Sequence, residues 1–550
     1  MKEATMTHGG FLENLYRGEF VPELFSPAAP PPDEQRVSSF IGRFHEAVAP
    51  YDSRALEAGH GVPPDLMKKL AEIGTFGIII PREYGGLGMT LQEYLRVIEE
   101  LASSDMSLAL IPLAHLSIGV KGILLFGTEE QKKRWLPVAA SGETVFAYAL
   151  TEPETGSDAQ HVRTTARPCD DGRSWVLEGT KTYITNANYA GAFTVFAQLG
   201  EPEEGRMGVF VVERTMEGLS VGPDMPKMGL AVSSTAMVRL HGVRVPDSHM
   251  IGAPGDGFRI AMTILNYGRL ALGATSAGLL SQSLKDMASR ASSRRQFGLA
   301  LREFELIQEK MVRARTHGFA AAAMTSFTAA MLQADPLSNV GIESSHSKLY
   351  GTTRCWDTLY DAQQTAGGAG FLSTLPYEKR LRDFRVTTIF EGTTEIHSIY
   401  PPLTLARAYG KELAARGTLG KVAGLIRLSS ARALRRARES QPVLRAALRS
   451  AVRSEALFRS LLSMGLRRYG NRLATQEFLL RRMTHLSLSL FWLVASVWYL
   501  KRRHPEGIFP PEDLSVIAYL TEEAREVQAL DGRKARSRKE QILRQIMRSL

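Results

Sequence analysis

FAYALTEPETGSDAQ, residues Phe146 to Gln160, is the stretch that decides the fold. It opens as a strand and breaks at Pro153 and Gly156. Thr151, Ser157 and the Gly156 backbone offer neutral hydrogen-bond donors at the strand end and in the loop after it. Such a loop suits a flavin ring or a pyrophosphate that backbone approaches closely. A Pro/Gly turn between two strands is the plainer reading of the same residues.

The texture on either side differs. Before it, VPPDLMKKLAEIGTFGI and LQEYLRVIEELASSD carry apolar residues at every third or fourth position, with Pro81 and Gly85-Gly86 between them. Both read as helices. After it, SWVLEGTKTYITN, GAFTVFAQL, MGVFVVERT and TAMVRLHGVRVP are short, rich in Val, Thr, Tyr and Phe, and bounded by turns, with Asp171-Gly172 as a hairpin signal. They predict an antiparallel β-domain over residues 146–256. Helical texture returns near Gly257 in three long segments, FRIAMTILNYGRLALGATSAGLLSQSLKDMASRA, FELIQEKMVRARTHGFAAAAMTSFTAAML and SHSKLYGTTRCWDTLYDAQQTAG. The expected class is α+β multidomain. Its parts are a lead-in with the Pro-rich PAAPPPDE (1–34), an N-terminal helical domain (35–145), the β-domain (146–256), a helical bundle (257–408) and a basic helical extension (409–550).

With 550 residues, 44% of them hydrophobic, the chain can bury a large core. Cys169 and Cys355 provide neither a disulfide framework nor a metal-ligand cluster, so no metal is expected. MKEATMTHGGFLENLYRGEF lacks a long apolar core, so no secretory signal is expected. A cytoplasmic location follows, or the mitochondrial matrix in a eukaryote. Met483 to Leu500 is about long enough to span a bilayer, yet three serines, a threonine and a histidine interrupt it. It reads as the central helix of a helical domain.

The net charge of +10 is unevenly placed: residues 411–550 hold 28 basic and 12 acidic side chains, leaving −6 for residues 1–410. Residues 427–453 alternate Leu, Ala and Val with Arg at near-helical spacing. They form either an Arg-coated solvated helix or one lying apolar side down on an anionic membrane surface, the peripheral inner face of a membrane. No interleaved aromatic pattern points to nucleic acid.

TEPETGSD resembles the signature of the acyl-CoA dehydrogenase family. Four further segments match that family in order: KTYITN (Lys181 to Asn186), RRQFG (Arg294 to Gly298) followed by LIQEKM, QTAGGAGF (Gln364 to Phe371) and RDFRVTTIFEGTTEI (Arg382 to Ile396). The resemblance covers roughly residues 35–410. With LSIGVKGILLFGTEEQKKRWLP and the C-terminal extension, it is most similar to the very-long-chain branch. It implies N-terminal helices, a middle β-domain and a C-terminal four-helix bundle. It further implies FAD, an acyl-CoA substrate, a homodimer and an electron-transferring flavoprotein as electron acceptor.

By resemblance, Glu391 takes the α-proton of the thioester while the β-hydride goes to flavin N5. The Glu391 N–H and a ribityl hydroxyl stabilise the developing enolate oxygen. An apolar site raises a carboxylate's pKa and makes it a stronger base. Some branches keep the base on another helix; the matching segment here, LNYGRLALG, offers Gly268 and Arg269 and no acid. Tyr148, Leu150, Thr151, Gly156 and Ser157 are expected along the flavin and its pyrophosphate. Tyr183 and Thr185 are expected on the other side; many members carry Trp where this chain has Tyr183. Arg294, Gln296 and Phe297 are expected on the adenine half, approached from the neighbouring subunit by Gln364, Gly367 and Gly368. Thr393 and Glu395 complete the cofactor set. Ser157, Arg269, Phe390 and Gly392 are expected against the acyl-CoA. Ala109 and Leu113 fall near positions that set tail-pocket depth; Leu113 shortens the slot, and Pro112 bends that helix. Two alternatives remain: an acyl-CoA oxidase in the same fold, or an assembly factor that retains the fold with little turnover.

Overall fold

A computed structural model describes residues 9–19, 30–200, 205–414, 434, 439–531 and 537–549. The principal elements in chain order are helices α1 (Phe11–Arg17), α2 (Glu34–Val48), α3 (Ser53–Ala58), α4 (Pro64–Glu72), α5 (Leu91–Ser104), α6 (Met106–Ala114), α7 (Lys121–Phe126) and α8 (Glu129–Ala140). Strands β1 (Val145–Ala149), β2 (Thr165–Pro168), β3 (Ser174–Thr185), β4 (Ala190–Leu199), β5 (Met207–Glu213), β6 (Leu219–Val221) and β7 (Thr235–Pro246) follow. Then come α9 (Gly257–Ser293), the hairpin β8 (Arg295–Gln296) and β9 (Leu299–Ala300), α10 (Glu305–Ala334), α11 (Gly341–Ala366), α12 (Gly368–Phe371), α13 (Tyr377–Phe384) and α14 (Thr394–Ala414). The last four are α15 (Pro442–Tyr469), α16 (Glu477–Arg503), α17 (Pro511–Asp531) and α18 (Ser537–Ser549). They divide into two compact units, residues 30–290 with 359–391, and the described residues of 1–29, 291–358 and 392–550.

In the first unit the helix starts are written locally. Asp33, Asp52 and Asp105 accept first-turn amides, and Thr90 with Glu93 and Thr128 with Gln131 form reciprocal capping boxes. Pro112 sits inside α6 and cannot donate to the turn before it. The chain continues as a π turn over His115–Gly119, closed by the Val120 N–H on the His115 carbonyl at 2.9 Å. The buried His115 ring then ties helix to sheet: Nε2 meets the Ala139 carbonyl at 3.2 Å, and Nδ1 accepts the Phe146 N–H at 2.9 Å. Burial lowers its pKa to about 4, so the ring is neutral and can accept at Nδ1.

The expectation of an antiparallel β-domain needs correction: the sheet is mixed. β1 and β4 pair in parallel, as do β2 and β4 at their ends, whereas β2–β3, β3–β7, β4–β5 and β6–β7 are antiparallel. Long excursions between β1 and β4 and between β2 and β4 let the chain return in the same direction, which hairpin signals cannot announce. A core including Phe193, Val195, Phe210, Val212, Val238 and Val245 lies within the sheet domain.

In the second unit α16 is the central helix, packed by α10, α14, α15 and α17. Its apolar window and that of Met106–Phe126 are long enough to cross a membrane, but each is 89% buried inside the protein. The reading of Met483–Leu500 as a core helix stands on that burial. Residues 427–433 and 435–438 of the basic amphipathic segment lie outside the described residues. In its described part, Leu444, Ala447, Leu448 and Ala451 are buried, while Arg445, Arg449 and Arg453 face outward. An apolar side lying on lipid is therefore corrected for residues 442–453: that side is consumed by internal packing.

Candidate active site

Glu391 ends the first unit. It follows the 3₁₀ turn Arg385–Thr388 and adopts φ +56°, a left-handed conformation uncommon for a residue with a side chain. Its side chain is half-buried, and Oε2 is inaccessible to solvent. It packs against α9 where Gly268 leaves room. A Cβ on Gly268 would lie 3.0 Å from Glu391 Cδ, Oε1 and Oε2. The missing acid in LNYGRLALG and the acid at position 391 are thus two descriptions of one volume.

Arg269, the next residue on α9, is 6% exposed. Its Nε donates to the Glu391 carbonyl at 3.4 Å, and its Nη1 to Asn266 Oδ1 at 3.4 Å. The guanidinium holds the main chain of the acidic residue from beneath. Tyr148, on β1, faces the same group. Burial pushes its phenol far up, the Glu391 charge adds to this and Arg269 opposes it. The Tyr148 hydroxyl is buried and has no hydrogen-bond partner among the described residues. Burying an unpaired hydroxyl is costly, so this atom is poised for a partner that is not part of the chain.

The β1 end is fixed by a buried ion pair that sequence reasoning missed. Lys181 Nζ donates to Glu152 Oε1 at 2.6 Å and to the Leu150 carbonyl at 3.2 Å. Glu152 also accepts the Arg163 and Thr164 amides. Burial lowers the Lys181 pKa to about 8, with Glu152 opposing; Glu152 stays below its usual value despite burial, because of Lys181 and the amides. The Thr182 N–H reaches the Thr151 carbonyl at 2.9 Å. Nothing local signals this pair, since its members are far apart in sequence and both types usually face water.

Beside that anchor β3 carries a bulge between Lys181 and Ile184, where Tyr183 takes φ +57° and is 67% exposed. The extra residue re-aims the aromatic ring outward. Thr151 and Thr185 are half-buried, Leu150 is buried, and Gly156 and Ser157 stand exposed in the loop after β1. Gln364, Gly367 and Gly368 are exposed at the α11–α12 junction, where a Cβ on either glycine would touch nothing. Phe390 is half-buried beside Glu391 in sequence.

The other expected residues belong to the second unit. Arg294 precedes the β8–β9 hairpin, and Gln296 and Phe297 lie on it, all exposed; Phe297 is 94% exposed at φ +53°. Phe297 and Gly298 both take positive φ, as a two-residue primed turn demands. Gly392 takes φ +97°, Thr393 Oγ1 accepts the Ile396 N–H at 3.3 Å, and Glu395 is exposed. The structure therefore brings Glu391, Gly268, Arg269 and Tyr148 together. It sets Leu150, Thr151 and Tyr183 on two joined strands. Among the described residues no cluster of three His, Cys, Asp or Glu could hold a metal ion.

Three family models match the chain: the acyl-CoA dehydrogenase N-terminal domain over residues 32–143, the middle domain over 147–243 and the C-terminal domain over 255–399. The chain is similar to the very long-chain specific mitochondrial acyl-CoA dehydrogenase of Homo sapiens, 33% identical over 533 residues, which is 92% of this chain and 81% of the relative. It is 34% identical over 447 residues to a probable acyl-CoA dehydrogenase of Mycobacterium bovis, covering 78% and 68%. Among solved structures, an acyl-CoA dehydrogenase complexed with FAD from Bacillus anthracis superposes with a TM-score of 0.79 at 28% identity, covering 95% of this chain and 91% of that one.

Proposed function

Because the chain belongs to the acyl-CoA dehydrogenase family, with the helix–sheet–helix fold of that family and extra C-terminal helices, we propose that Glu391 is the base of an α,β-dehydrogenation of a fatty acyl-CoA. The protein is an FAD-dependent oxidoreductase of the acyl-CoA dehydrogenase class. The observation that carries the proposal for Glu391 is its carboxylate, half-buried in the volume that Gly268 leaves empty.

The chain's residues fit the flavin. The buried Tyr148 hydroxyl lacks a partner among the described residues, Tyr183 presents an outward ring, and Gly367 and Gly368 leave open space. Tyr148, Leu150, Thr151, Gly156, Ser157, Tyr183 and Thr185 would hold its ring and pyrophosphate and Arg294, Gln296 and Phe297 its adenine half, which Gln364, Gly367 and Gly368 would approach from the neighbouring subunit; Thr393 and Glu395 complete the set. When bound, FAD would supply the acceptor for the hydride that leaves the β-carbon. Glu391 takes the α-proton, and Arg269 keeps the Glu391 main chain in place by its bond to the carbonyl. The Glu391 N–H is the donor we assign to the thioester oxygen, with Ser157, Phe390 and Gly392 alongside the substrate.

We further infer a homodimer that passes its electrons to an electron-transferring flavoprotein. The exposures of Phe297, Phe371 (81%) and Leu372 (56%) support a subunit interface, since large apolar groups seldom stand in water without use. An anionic membrane would meet Arg445, Arg449 and Arg453 by charge, without insertion of that helix. The test of the function is an anaerobic titration of the purified yellow protein with acyl-CoAs of graded length. Bleaching by at least one chain length supports a dehydrogenase. Rapid peroxide formation in air points instead to the oxidase.

A further inference from the structure

The conformation of the 391–392 segment needs an explanation. Glu391 at φ +56° is followed by Gly392 at φ +97°, two successive left-handed residues. A residue with a side chain in that region persists only where its surroundings over-determine it. For Gly392 those surroundings are explicit and lie within the second unit. Lys348 on α11, wholly buried, donates from Nζ to the Gly392 carbonyl at 2.5 Å. His397, in the first turn of α14 and also wholly buried, stands against the Gly392 Cα; a Cβ there would lie 2.7 Å from its Nε2. Ser345, one turn before Lys348, meets His397 Nδ1 at 2.7 Å through its hydroxyl.

The costs indicate what this arrangement is for. Burying a lysine ammonium is expensive unless its donors are used. Spending one donor on a carbonyl at the head of a helix is unusual, because a surface turn could give that carbonyl to water. The bond fixes the Gly392–Thr393 peptide, one peptide beyond Glu391, and with His397 against the Gly392 Cα it anchors the residue from which the Glu391 main chain continues. Ser345 and Lys348 share one face of α11, so a single rigid helix orients both the imidazole and the ammonium.

We infer that Lys348, backed by His397 and Ser345, is a positioning residue that locks the Gly392 peptide and thereby holds Glu391 in its reactive orientation. The inference rests on the reading of Glu391 as the base. It reaches no reacting atom itself; it acts through Gly392, the next residue in the chain.

The experiment compares wild type, K348M, K348R and E391Q as full-length holoenzymes. Flavin content, kcat, KM and the pH profile of kcat are measured with the best acyl-CoA. Misplacement of a catalytic group by about 1 Å costs about 100-fold in rate. K348M should therefore lose about 100-fold in kcat, with KM and flavin content within about 2-fold of wild type. The acid limb of its kcat profile should move by about half a pH unit or more, because the carboxylate changes surroundings. K348R should fall between K348M and wild type, about 10-fold down, since it keeps a charged donor. If K348M does not fold, K348R is read alone: a loss in kcat at constant KM supports the inference. Unchanged kcat with an unmoved pH profile, in whichever variant folds, overturns it. E391Q separates the two claims. If E391Q is inactive and the Lys348 variants are normal, only the positioning role fails. If E391Q turns over, the base reading fails.

Discussion

Adding one methyl group at Gly268 should slow the chemistry without weakening the fold. In Gly268→Ala the new Cβ stands 3.0 Å from three atoms of the Glu391 carboxyl group. Comfortable contact is about 3.5 to 4 Å, so the carboxylate must retreat by roughly half an ångström. If about 1 Å of misplacement costs about 100-fold, half of that costs about 10-fold, or about 1.4 kcal/mol in the barrier. The same substitution replaces glycine by alanine inside α9, which favours helix by about 1 kcal/mol. Activity and stability should therefore move in opposite directions. Rapid-mixing measurement of flavin bleaching under anaerobic conditions reads the first, and thermal unfolding of the holoenzyme the second. Gly268→Val, with two further methyls facing the carboxyl group, should be slower still. A bleaching rate for Gly268→Ala within about 2-fold of wild type would refute the steric argument. So would a loss traced wholly to missing flavin.

Three further outcomes follow from the same geometry. Moving the acid across the shared volume, in the double variant Glu391→Gly with Gly268→Glu, should restore part of the bleaching that Glu391→Gly alone abolishes; no recovery over the single variant counts against one shared space. Lys181→Met leaves Glu152 buried without its cation and should destabilise the first unit by about 3 to 5 kcal/mol, read by denaturant unfolding; a shift below about 1 kcal/mol would show the pair to be dispensable. Burial raises the Glu343 pKa from 4.5 to about 7, with the Leu12 N–H on its Oε1 opposing. The folded state then keeps a proton that the unfolded chain releases above pH 4.5, so this stabilisation is full below that pH and lost as pH rises through about 7. Between those limits wild type should lose up to about 3 kcal/mol relative to Glu343→Gln, and parallel stability–pH curves for the two would contradict it.

Much of the architecture was legible because its signals are local. SWVLEGTKTYITN is the strand Ser174–Thr185, TAMVRLHGVRVP is Thr235–Pro246, and the three long helical segments end within a few residues of their expected bounds. Turn residues and periodicity act over a few positions, so the sequence carries them openly. What escaped is non-local. The parallel return of β4 against β1 depends on what lies between them. The outward Tyr183 depends on a bulge that needs the partner strand to define it. Helix α1, only seven residues, is too short for a periodic signal; it is held by packing, Phe11 against Phe327 and Tyr16 stacked on Phe458. At the site, resemblance singled out Glu391 and Arg269. The opposition of Gly268 to the carboxyl group, the grip of Arg269 on the main chain and the buried Lys181–Glu152 pair belong to the folded molecule alone. Arg269 also donates to the Glu391 carbonyl, a contact that no local signal announces.

The most direct measurement concerns one side chain. Glu391→Gln should bind FAD as fully as wild type, with the same visible spectrum, and its flavin should stay oxidised when an excess of the preferred acyl-CoA is added without oxygen. Flavin reduction by that variant at a rate near wild type would mean that another group removes the α-proton, and the account of this site would be wrong.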